Sequence, residues 1–339
     1  MKKFAIIGFG GLGKVHYENV AAVTKQVDDI QLVALCDIDE NAFYKQTETN
    51  ISSSAAKYDF SRCNLYNDAK DLFDNEELDF VITAVPTPMH EPIAVMAMER
   101  GVHVFSEKPM ARTAEQAERM IEAAKKNNVK LMIGQCVRYG AAPTVLKEMI
   151  SSEKYGKVIK ADFSRKSATP IWSWQSWYLD ETQSGGAALD MHIHDVDLVN
   201  YLFGMPKAVS SVATNAKTKH DSIHTQYHYC DDKVVTALGD WGFPQGYPFT
   251  SAFTVKFEKA TVTFMNREGM KLYPEDGEPS QVELPQVNGY VNEVVDFLKC
   301  IDADCASEIN PPEESLRSLR IALAEKESAD SGEKVVMNA

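Results

Sequence analysis

Three features are missing from this 339-residue chain, and each absence excludes a class of protein. No apolar run approaches the ~18 residues that a transmembrane helix requires, so we expect no helical membrane span. The six cysteines form no CxxC pair and no regular framework, which disfavours a disulfide-rich secreted scaffold. Positive charge is also scarce: 35 Lys and Arg stand against 49 Asp and Glu, and the net charge of −14 disfavours nucleic acid and membrane surfaces as partners.

The amino terminus superficially resembles a signal peptide, because Met1-Lys2-Lys3 precedes an apolar stretch. That stretch is interrupted by glycines and runs into Lys14 without a small-residue cleavage site. A chain of this length can bury a core without disulfides or a structural metal. We therefore predict a cytoplasmic protein with free thiols.

Alternation of short β-branched runs with longer helical stretches predicts a doubly wound parallel sheet in the first part of the chain. The predicted strands are 3–7, 31–36, 79–85, 103–105 and 130–133, and the predicted helices are 12–23, 91–100 and 113–127. Thr113 with Gln116 predicts a helix start, and Gly101 a helix end.

The pattern changes after residue 139 and predicts a second α/β domain with a large, mainly antiparallel open sheet. A helix over 143–151, a strand over 158–165, a Trp-rich loop and one helix over 186–203 come first. The following runs read as consecutive antiparallel strands at 208–214, 223–230, 233–241, 250–258 and 260–265, and helices at 290–301 and 312–328 close the chain. We place the domains at 1–130 and 131–339.

A glycine-rich motif follows the first predicted strand directly and opens the first helix. It is the GxGxxG of Gly8-Phe9-Gly10-Gly11-Leu12-Gly13. The first glycine permits a tight turn, the second lets backbone approach a pyrophosphate, and the third lets helix pack on strand. This context predicts a Rossmann domain that binds a dinucleotide.

Asp37 ends the second predicted strand, 24 residues beyond Gly13. An acidic side chain at about this interval accepts hydrogen bonds from the adenosine ribose and repels a 2′-phosphate, so NAD is favoured over NADP. The alternative is that Asp37 only caps the next helix.

Three further stretches carry a resemblance: Ala84-Val85-Pro86-Thr87-Pro88-Met89-His90, then Glu107-Lys108-Pro109, then Gly185-Gly186-Ala187-Ala188-Leu189-Asp190-Met191-His192-Ile193-His194-Asp195. Behind an N-terminal GxGxxG, they resemble the Gfo/Idh/MocA family of NAD(P)-dependent sugar and polyol oxidoreductases over nearly the whole chain. The resemblance implies that Lys108, Asp190 and His194 are catalytic. It also implies a substrate held between the nicotinamide and the second domain, and a homodimer or homotetramer formed through the open sheet.

The motifs and the resemblance together assign two overlapping sets of ligand contacts. The expected cofactor-binding residues are Gly8, Phe9, Gly10, Gly11, Leu12, Gly13, Asp37, Pro86, Thr87, His90, Glu107, Lys108, Gln135 and Trp177. The expected substrate-binding residues are Lys108, Arg138, Trp172, Asp190 and His194, and Arg138 is alternatively a cofactor contact. Two positions depart from the family pattern: His192 stands where glycine is usual, and Gly140-Ala141-Ala142 replaces bulky residues, which alters the predicted pocket.

The chemistry of the three catalytic positions agrees with this assignment. Oxidising a secondary alcohol requires a base near neutrality and a cation beside the developing alkoxide. His194 has the first property and Lys108 the second, although the two roles can be shared or exchanged. On the predicted helix Asp190 lies one turn before His194, so its carboxylate can orient the imidazole.

Two histidine patterns suggest a metal site as an alternative. His192 and His194 are separated by two positions, which on a helix directs them apart. His224, His228 and Cys230 would share one face of a strand, with His220 just before it, and zinc is the candidate ion there. We predict no metal at either pattern.

Three functions remain open at this point. The first is an NAD-dependent dehydrogenase acting on a ring hydroxyl of a sugar, glycoside or cyclitol. The second is a glycosidase or transhydrogenase that keeps and recycles its NAD. The third is a non-enzymatic NAD-binding sensor, against which the intact Lys108, Asp190 and His194 argue.

Overall fold

The computed structural model describes residues 1–27, 29–45 and 58–337. Its strands are β1 (Lys2–Ile7), β2 (Ile30–Cys36), β3 (Asn64–Tyr66), β4 (Phe80–Thr83), β5 (His103–Glu107), β6 (Leu131–Gly134), β7 (Val158–Ala168), β8 (Ala208–Thr214), β9 (Ser222–His228), β10 (Val234–Phe243), β11 (Thr250–Phe257), β12 (Ala260–Met265), β13 (Gly269–Pro274), β14 (Ser280–Val282) and β15 (Val335–Val336). Its helices are α1 (Gly11–Thr24), α2 (Ala69–Asn75), α3 (His90–Met98), α4 (Ala114–Lys126), α5 (Ala141–Ser151), α6 (Glu181–Ser184), α7 (Gly186–Asp190), α8 (Ile193–Phe203), α9 (Gly289–Asp302) and α10 (Pro312–Ser331).

The chain forms two units, and the first is discontinuous in sequence. Unit 1 comprises Met1–Cys136 with Asn288–Leu316, and unit 2 comprises Val137–Val287 with Arg317–Ala339. This differs from the predicted division at residue 130, because the segment that carries α9 returns to the first sheet.

Unit 1 contains a six-stranded sheet in the order β3-β2-β1-β4-β5-β6, and every strand pair in it is parallel. This is the Rossmann order, which reverses direction between β1 and β4 and binds ligands beyond the carboxyl ends of the strands. The predicted doubly wound sheet is therefore confirmed. The predicted cap of α4 is present as a capping box, in which the Thr113 hydroxyl accepts from the Gln116 N–H at 3.3 Å.

Helix α9 covers one face of this sheet. Its side chains Val294, Phe297 and Leu298 are buried in one apolar cluster with residues of β1, β4 and β5. The Phe297 ring lies 6.0 Å from Phe80 and 5.8 Å from Phe105 between centroids. Burying such aromatic area contributes a large share of a core's stability, so the return of α9 is an integral part of unit 1.

Unit 2 contains a nine-stranded sheet in the order β14-β13-β12-β11-β7-β10-β9-β8-β15. Buried and less buried residues alternate along β7 and β10, which gives the sheet one buried face. The mainly antiparallel open sheet is confirmed. Within it β7 lies between β11 and β10 and runs parallel to β10, so β10 and β11, which were predicted as consecutive antiparallel strands, are not neighbours.

The predicted single helix over 186–203 is wrong. Helix α7 ends at Asp190, α8 begins at Ile193, and Met191 and His192 form the junction. His192 is the N-cap residue of α8, so Asp190 and His194 belong to different helices and not to successive turns of one helix.

Within the described ranges no helix combines the length and the apolar character needed to cross a bilayer. All six cysteines are free thiols, in agreement with the prediction. Burial raises the pKa of Cys300 to about 12, so this thiol stays protonated and unreactive at neutral pH.

Candidate active site

In the glycine-rich loop between β1 and α1, two glycines are in close contact with backbone atoms and a third faces open space. A Cβ on Gly13 would lie 1.9 Å from the Gly8 carbonyl oxygen, and a Cβ on Gly8, whose φ is +91°, would lie 2.3 Å from the Ala84 oxygen. A Cβ on Gly10 would meet no atom within 4 Å. Gly8 and Gly13 are therefore required for packing, whereas Gly10 faces open space through which a ligand can reach the backbone.

The amino terminus of α1 has its backbone N–H groups available. Gly10 is the N-cap residue, and among the described residues no side chain caps this 14-residue helix. Uncapped N–H groups and the positive end of the helix dipole together favour an anion at this position. Within the same loop the Phe9 ring is buried among other aromatic rings, so only its backbone faces the loop's open side.

Asp37 is tied to the glycine-rich loop. Its Oδ2 accepts the Phe9 N–H at 2.7 Å, and its Oδ1 accepts the Asp39 N–H at 2.9 Å. Burial raises the pKa of this carboxyl, while the two backbone N–H groups act in the opposite direction. Each oxygen of an ionised carboxylate keeps lone pairs beyond those used here, which are available to ribose hydroxyls.

Several buried side-chain oxygens in unit 1, on Thr83, Thr87, Gln135 and Glu293, have no hydrogen-bond partner among the described residues. Thr87 Oγ1 lies just after β4, and Gln135 Oε1 follows β6, with the two residues 2 % and 1 % exposed. Buried polar atoms without partners are rare because each costs free energy. Together with open Gly10 and the uncapped α1, the Thr87 and Gln135 oxygens fit a dinucleotide bound at the carboxyl edge of the sheet.

Lys108 follows β5 at the same edge and is half-buried. Its backbone N–H donates to Glu107 Oε2 at 3.2 Å. His90 lies beneath this loop, with Nδ1 at 2.7 Å from the Pro109 oxygen and Nε2 at 2.9 Å from the Val85 oxygen. The structure thus gives His90 a positioning role between two loops, rather than an imidazole turned toward a ligand.

A buried polar cluster behind Lys108 has no local sequence signal. His16 Nε2 lies 2.7 Å from Glu107 Oε1, and Glu293 of α9 directs its carboxyl at the same place, so that one ligand-type atom from each lies within 4.8 Å of the others. Glu293 is fully buried and neither of its oxygens has a partner among the described residues. Burial, and then the charge of Glu107, raise the pKa of Glu293 well above its usual value.

Asp190 and His194 lie in unit 2 on either side of the α7–α8 junction. Asp190 is the last residue of α7, His194 is in the first turn of α8, and both are half-buried. The neighbouring Asp195 is buried and accepts from Arg165 of β7 at 2.9 and 3.1 Å. The junction is thereby held against the sheet while the two predicted catalytic side chains stay partly accessible.

Arg138 is placed differently from the expected substrate or cofactor contact. Its guanidinium is buried and donates through Nε and Nη2 to the two oxygens of Asp197, each at 2.7 Å. Asp197 also accepts from the Ser318 hydroxyl at 2.8 Å. A buried bidentate pair of this kind braces α8, so we remove Arg138 from the set of proposed ligand contacts.

The Trp-rich loop holds its tryptophans at or near the surface. Trp172 and Trp177 are half-buried, Trp174 is 46 % exposed, and the Trp177 and Tyr178 ring centroids lie 4.4 Å apart. Gln175 and Ser176 adopt φ values of 49° and 58° between them. Partly exposed rings on an irregular loop agree with a ligand-contacting role better than with core packing.

The two histidine patterns do not form metal sites within the described part of the chain. His220 Nε2 lies 2.8 Å from Asp330 Oδ1, His228 lies 2.9 Å from the Ser210 hydroxyl, and His224 is exposed. Among those residues, the group that brings three ligand-type atoms together is instead His16, Glu107 and Glu293.

Comparisons with known proteins agree with this geometry. The family model for the oxidoreductase family with an NAD-binding Rossmann fold matches residues 2–135, and the model for the Gfo/Idh/MocA C-terminal domain matches residues 144–263. The fold and the two matches define an oxidoreductase with a dinucleotide-binding domain. The chain belongs to the Gfo/Idh/MocA family.

Individual relatives are distant. The myo-inositol 2-dehydrogenase of Thermotoga maritima is 31 % identical over 205 residues, which are 60 % of this chain and 55 % of that protein. The 2,7-anhydro-N-acetylneuraminate hydratase of Mediterraneibacter gnavus is 25 % identical over 253 residues, or 72 % and 62 % of the two chains. The matches therefore span less than two thirds of these relatives. A solved levoglucosan dehydrogenase, in complex with NADH and levoglucosan, has a TM-score of 0.84 and 19 % identity with full coverage of both chains, which shows a shared fold.

Proposed function

We propose that this chain is an NAD-dependent oxidoreductase that transfers a hydride between nicotinamide and a ring secondary hydroxyl or ketone of a sugar, glycoside or cyclitol. The observation that carries the proposal is the edge of the unit 1 sheet, where open Gly10, the uncapped α1, Asp37 and the unpartnered Thr87 and Gln135 oxygens offer contacts to a dinucleotide. Related chains with names of inositol and levoglucosan dehydrogenases support a cyclic polyhydroxy substrate.

We assign NAD, rather than NADP, on the environment of Asp37. Its two oxygens are fixed by backbone N–H groups, so the carboxylate cannot rotate away from an incoming phosphate. The next residue, Ile38, is 77 % exposed and offers no cation to a 2′-phosphate. Bound NAD supplies the hydride acceptor, and the residues of this chain orient the substrate and move the proton.

With NAD bound, the nicotinamide would take up a hydride from the hydroxyl-bearing carbon, and loss of the hydroxyl proton to a residue of this chain would leave a carbonyl. His194 accepts the proton and Lys108 stabilises the negative charge on oxygen, or the two exchange these roles. Asp190 orients the His194 ring and stabilises its protonated form. Trp172 and Trp177 contribute flat apolar surfaces to the substrate and the cofactor.

The test measures NADH at 340 nm with purified protein, NAD and a panel of sugars, glycosides and inositols. Lys108→Met and His194→Asn should lower turnover by at least about a hundredfold, the range expected for loss of an acid–base or charge-stabilising group. Exposed residues supply matched controls, Lys126→Ala in α4 and His224→Asn in β9. Turnover that survives both site variants would refute the assignment.

A second candidate is a reaction in which NAD is reduced and reoxidised within one cycle. It is favoured by a relative named as a hydratase, since adding water consumes no net oxidant. Product formed without net NADH, together with NAD that copurifies with the protein, would select it over a dehydrogenase. A single-turnover measurement that shows transient NADH would exclude the third reading, an NAD-binding sensor.

The proposal also includes self-association through the unit 2 sheet and a reducing compartment. The outer edge of that sheet leaves Val212 of β8 70 % exposed, and Tyr273 of β13 is 39 % exposed. Light scattering of the purified chain should give the mass of a dimer or a tetramer, and a monomer at micromolar concentration would contradict this part.

A further inference from the structure

One buried polar group in unit 2 is not used by the proposed reaction. His192, in the α7–α8 junction, and Glu325, in α10, are both fully buried, and His192 Nε2 lies 3.0 Å from Glu325 Oε2. Tyr227 of β9 is 1 % exposed and lies beside Glu325. Burial, followed by the charge of Glu325, raises the pKa of Tyr227 well above its usual value, so this hydroxyl keeps its proton.

Space for the imidazole is created by a glycine. A Cβ on Gly239 of β10 would lie 2.6 Å from the Cβ of His192 and 2.8 Å from its ring. Any larger residue at position 239 would therefore displace His192 from the sheet. The placement of the His192 side chain therefore depends on both Gly239 and Glu325. Gly239 follows His192 by 47 residues, and Glu325 follows Gly239 by 86 residues.

His192 lies between Asp190 and His194 in the chain, so its contact with Glu325 bears on the placement of both. Its side chain enters the buried interior of unit 2, whereas Asp190 and His194, two residues away on each side, stay half-buried. The helix break at Met191–His192 falls at the same point, so the backbone of the junction is not held by a continuous helical ladder there. The contact with Glu325 ties the junction to α10 at the midpoint between the two proposed catalytic residues.

We propose that the buried His192–Glu325 pair is a positioning device that fixes the α7–α8 junction and thereby the relative placement of Asp190 and His194. The inference rests on the proposed function, because it takes those two residues as the catalytic pair. It also gives a role to the departure of His192 from the family pattern, since the side chain is buried against Gly239 of the sheet and Glu325 of α10.

Glu325→Gln tests the proposal, since it keeps the shape of the side chain and replaces the carboxyl group that faces His192 with an amide. The matched control is Glu327→Gln, an exposed position on the same helix. Misplacing a reacting group by about 1 Å can cost about a hundredfold in rate, so Glu325→Gln should lower kcat by about tenfold or more. The KM for NAD should stay within about twofold, because unit 1 is untouched.

A second readout does not depend on turnover. The side-chain ¹⁵N resonances of His194, assigned with His194→Asn, should shift in Glu325→Gln and stay in place in Glu327→Gln. If Lys108→Met and His194→Asn leave turnover intact, the proposed function fails, and this resonance still decides whether the pair positions His194. Unchanged resonances together with unchanged kcat would overturn the inference.

The double variant His192→Leu/Glu325→Leu separates positioning from simple stability. Replacing a buried polar pair by apolar residues of similar volume is often neutral or stabilising, so its melting temperature should equal or exceed that of the parent. Under the proposal kcat remains low and the His194 resonances remain displaced, despite the restored stability. Recovery of kcat together with stability would show that the pair has only a structural role and would refute the proposal.

Discussion

Replacing Glu293 by Gln should make the protein more stable at neutral pH, and the size of the effect should depend on pH. Glu293 is fully buried beside Glu107, and neither of its oxygens has a partner among the described residues. Burial and the neighbouring charge raise the pKa of this carboxyl well above the 4.5 of an ordinary glutamic acid. The folded protein therefore keeps a proton on Glu293 at pH values at which the unfolded chain has lost it.

The sign of the pH effect follows from this difference in bound protons. The contribution of Glu293 to stability is fully present below about pH 4.5 and is lost as the pH rises toward its raised value in the folded state. The loss is at most about 1.4 kcal/mol per pH unit, so up to about 2.7 kcal/mol disappears between pH 5 and pH 7. Gln cannot ionise and still donates N–H groups toward Glu107, so the variant lacks this loss.

The assay is denaturant unfolding of the parent and of Glu293→Gln at pH 5, 6 and 7. The two proteins should be similar at pH 5, and the variant should be more stable than the parent at pH 7, by up to about 2.7 kcal/mol. Glu122→Gln, at an exposed position of α4, is the control and should reproduce the pH dependence of the parent.

Two results would refute this reasoning. Equal pH dependence in the parent and in Glu293→Gln would show that the carboxyl titrates normally. A variant that is less stable at every pH, with the parent destabilised by a chelator, would show that His16, Glu107 and an ionised Glu293 hold a divalent cation instead of a proton.

Further predictions concern the glycine-rich loop, Asp37 and Arg138. Gly13→Ala should destabilise unit 1 by about 1 to 3 kcal/mol through its clash with a carbonyl, whereas Gly10→Ala should leave the melting temperature unchanged and lower NADH affinity at least about tenfold in a fluorescence titration. Asp37→Ala should lower the NAD:NADP preference in kcat/KM by about tenfold or more, and an unchanged preference would remove Asp37 from the ribose site. Arg138→Met should cost about 3 to 5 kcal/mol in unfolding free energy by leaving the Asp197 carboxylate buried without its cation, and a cost below about 1 kcal/mol would contradict a bracing role.

Sequence alone was sufficient where the signal is local. The GxGxxG with its flanking strand and helix predicted the β1–α1 loop, since the motif, the strand before it and the helix after it are contiguous in sequence. The carboxyl edge could also be anticipated, because Asp37, Thr87 and Lys108 each follow a strand whose apolar run is visible in the sequence. Short β3 was missed, as it has only three residues.

Sequence reasoning failed where the determining contact is distant. Glu293 meets Glu107 only because α9 returns to unit 1, and periodicity cannot show which sheet a helix will cover. The break between α7 and α8 was missed for the same reason: the residues through 186–203 are compatible with one helix, and the interruption coincides with the contacts of His192 with Glu325 and Gly239. Arg138 was assigned to the pocket from the family resemblance. Nothing in the sequence around Asp197 marks that residue as the buried partner of Arg138.

The discontinuity of unit 1 has a consequence for how the protein is made. A ribosome that has finished Cys136 must add about 150 more residues before α9 is available, which takes about 8 to 30 s at typical synthesis rates. Until then the face of the sheet that carries Phe80 and Phe105 lacks the Phe297 side of its core. The nascent cofactor-binding unit is thus a natural client for chaperones, and a fragment that stops at residue 136 should aggregate unless the 288–316 segment is supplied.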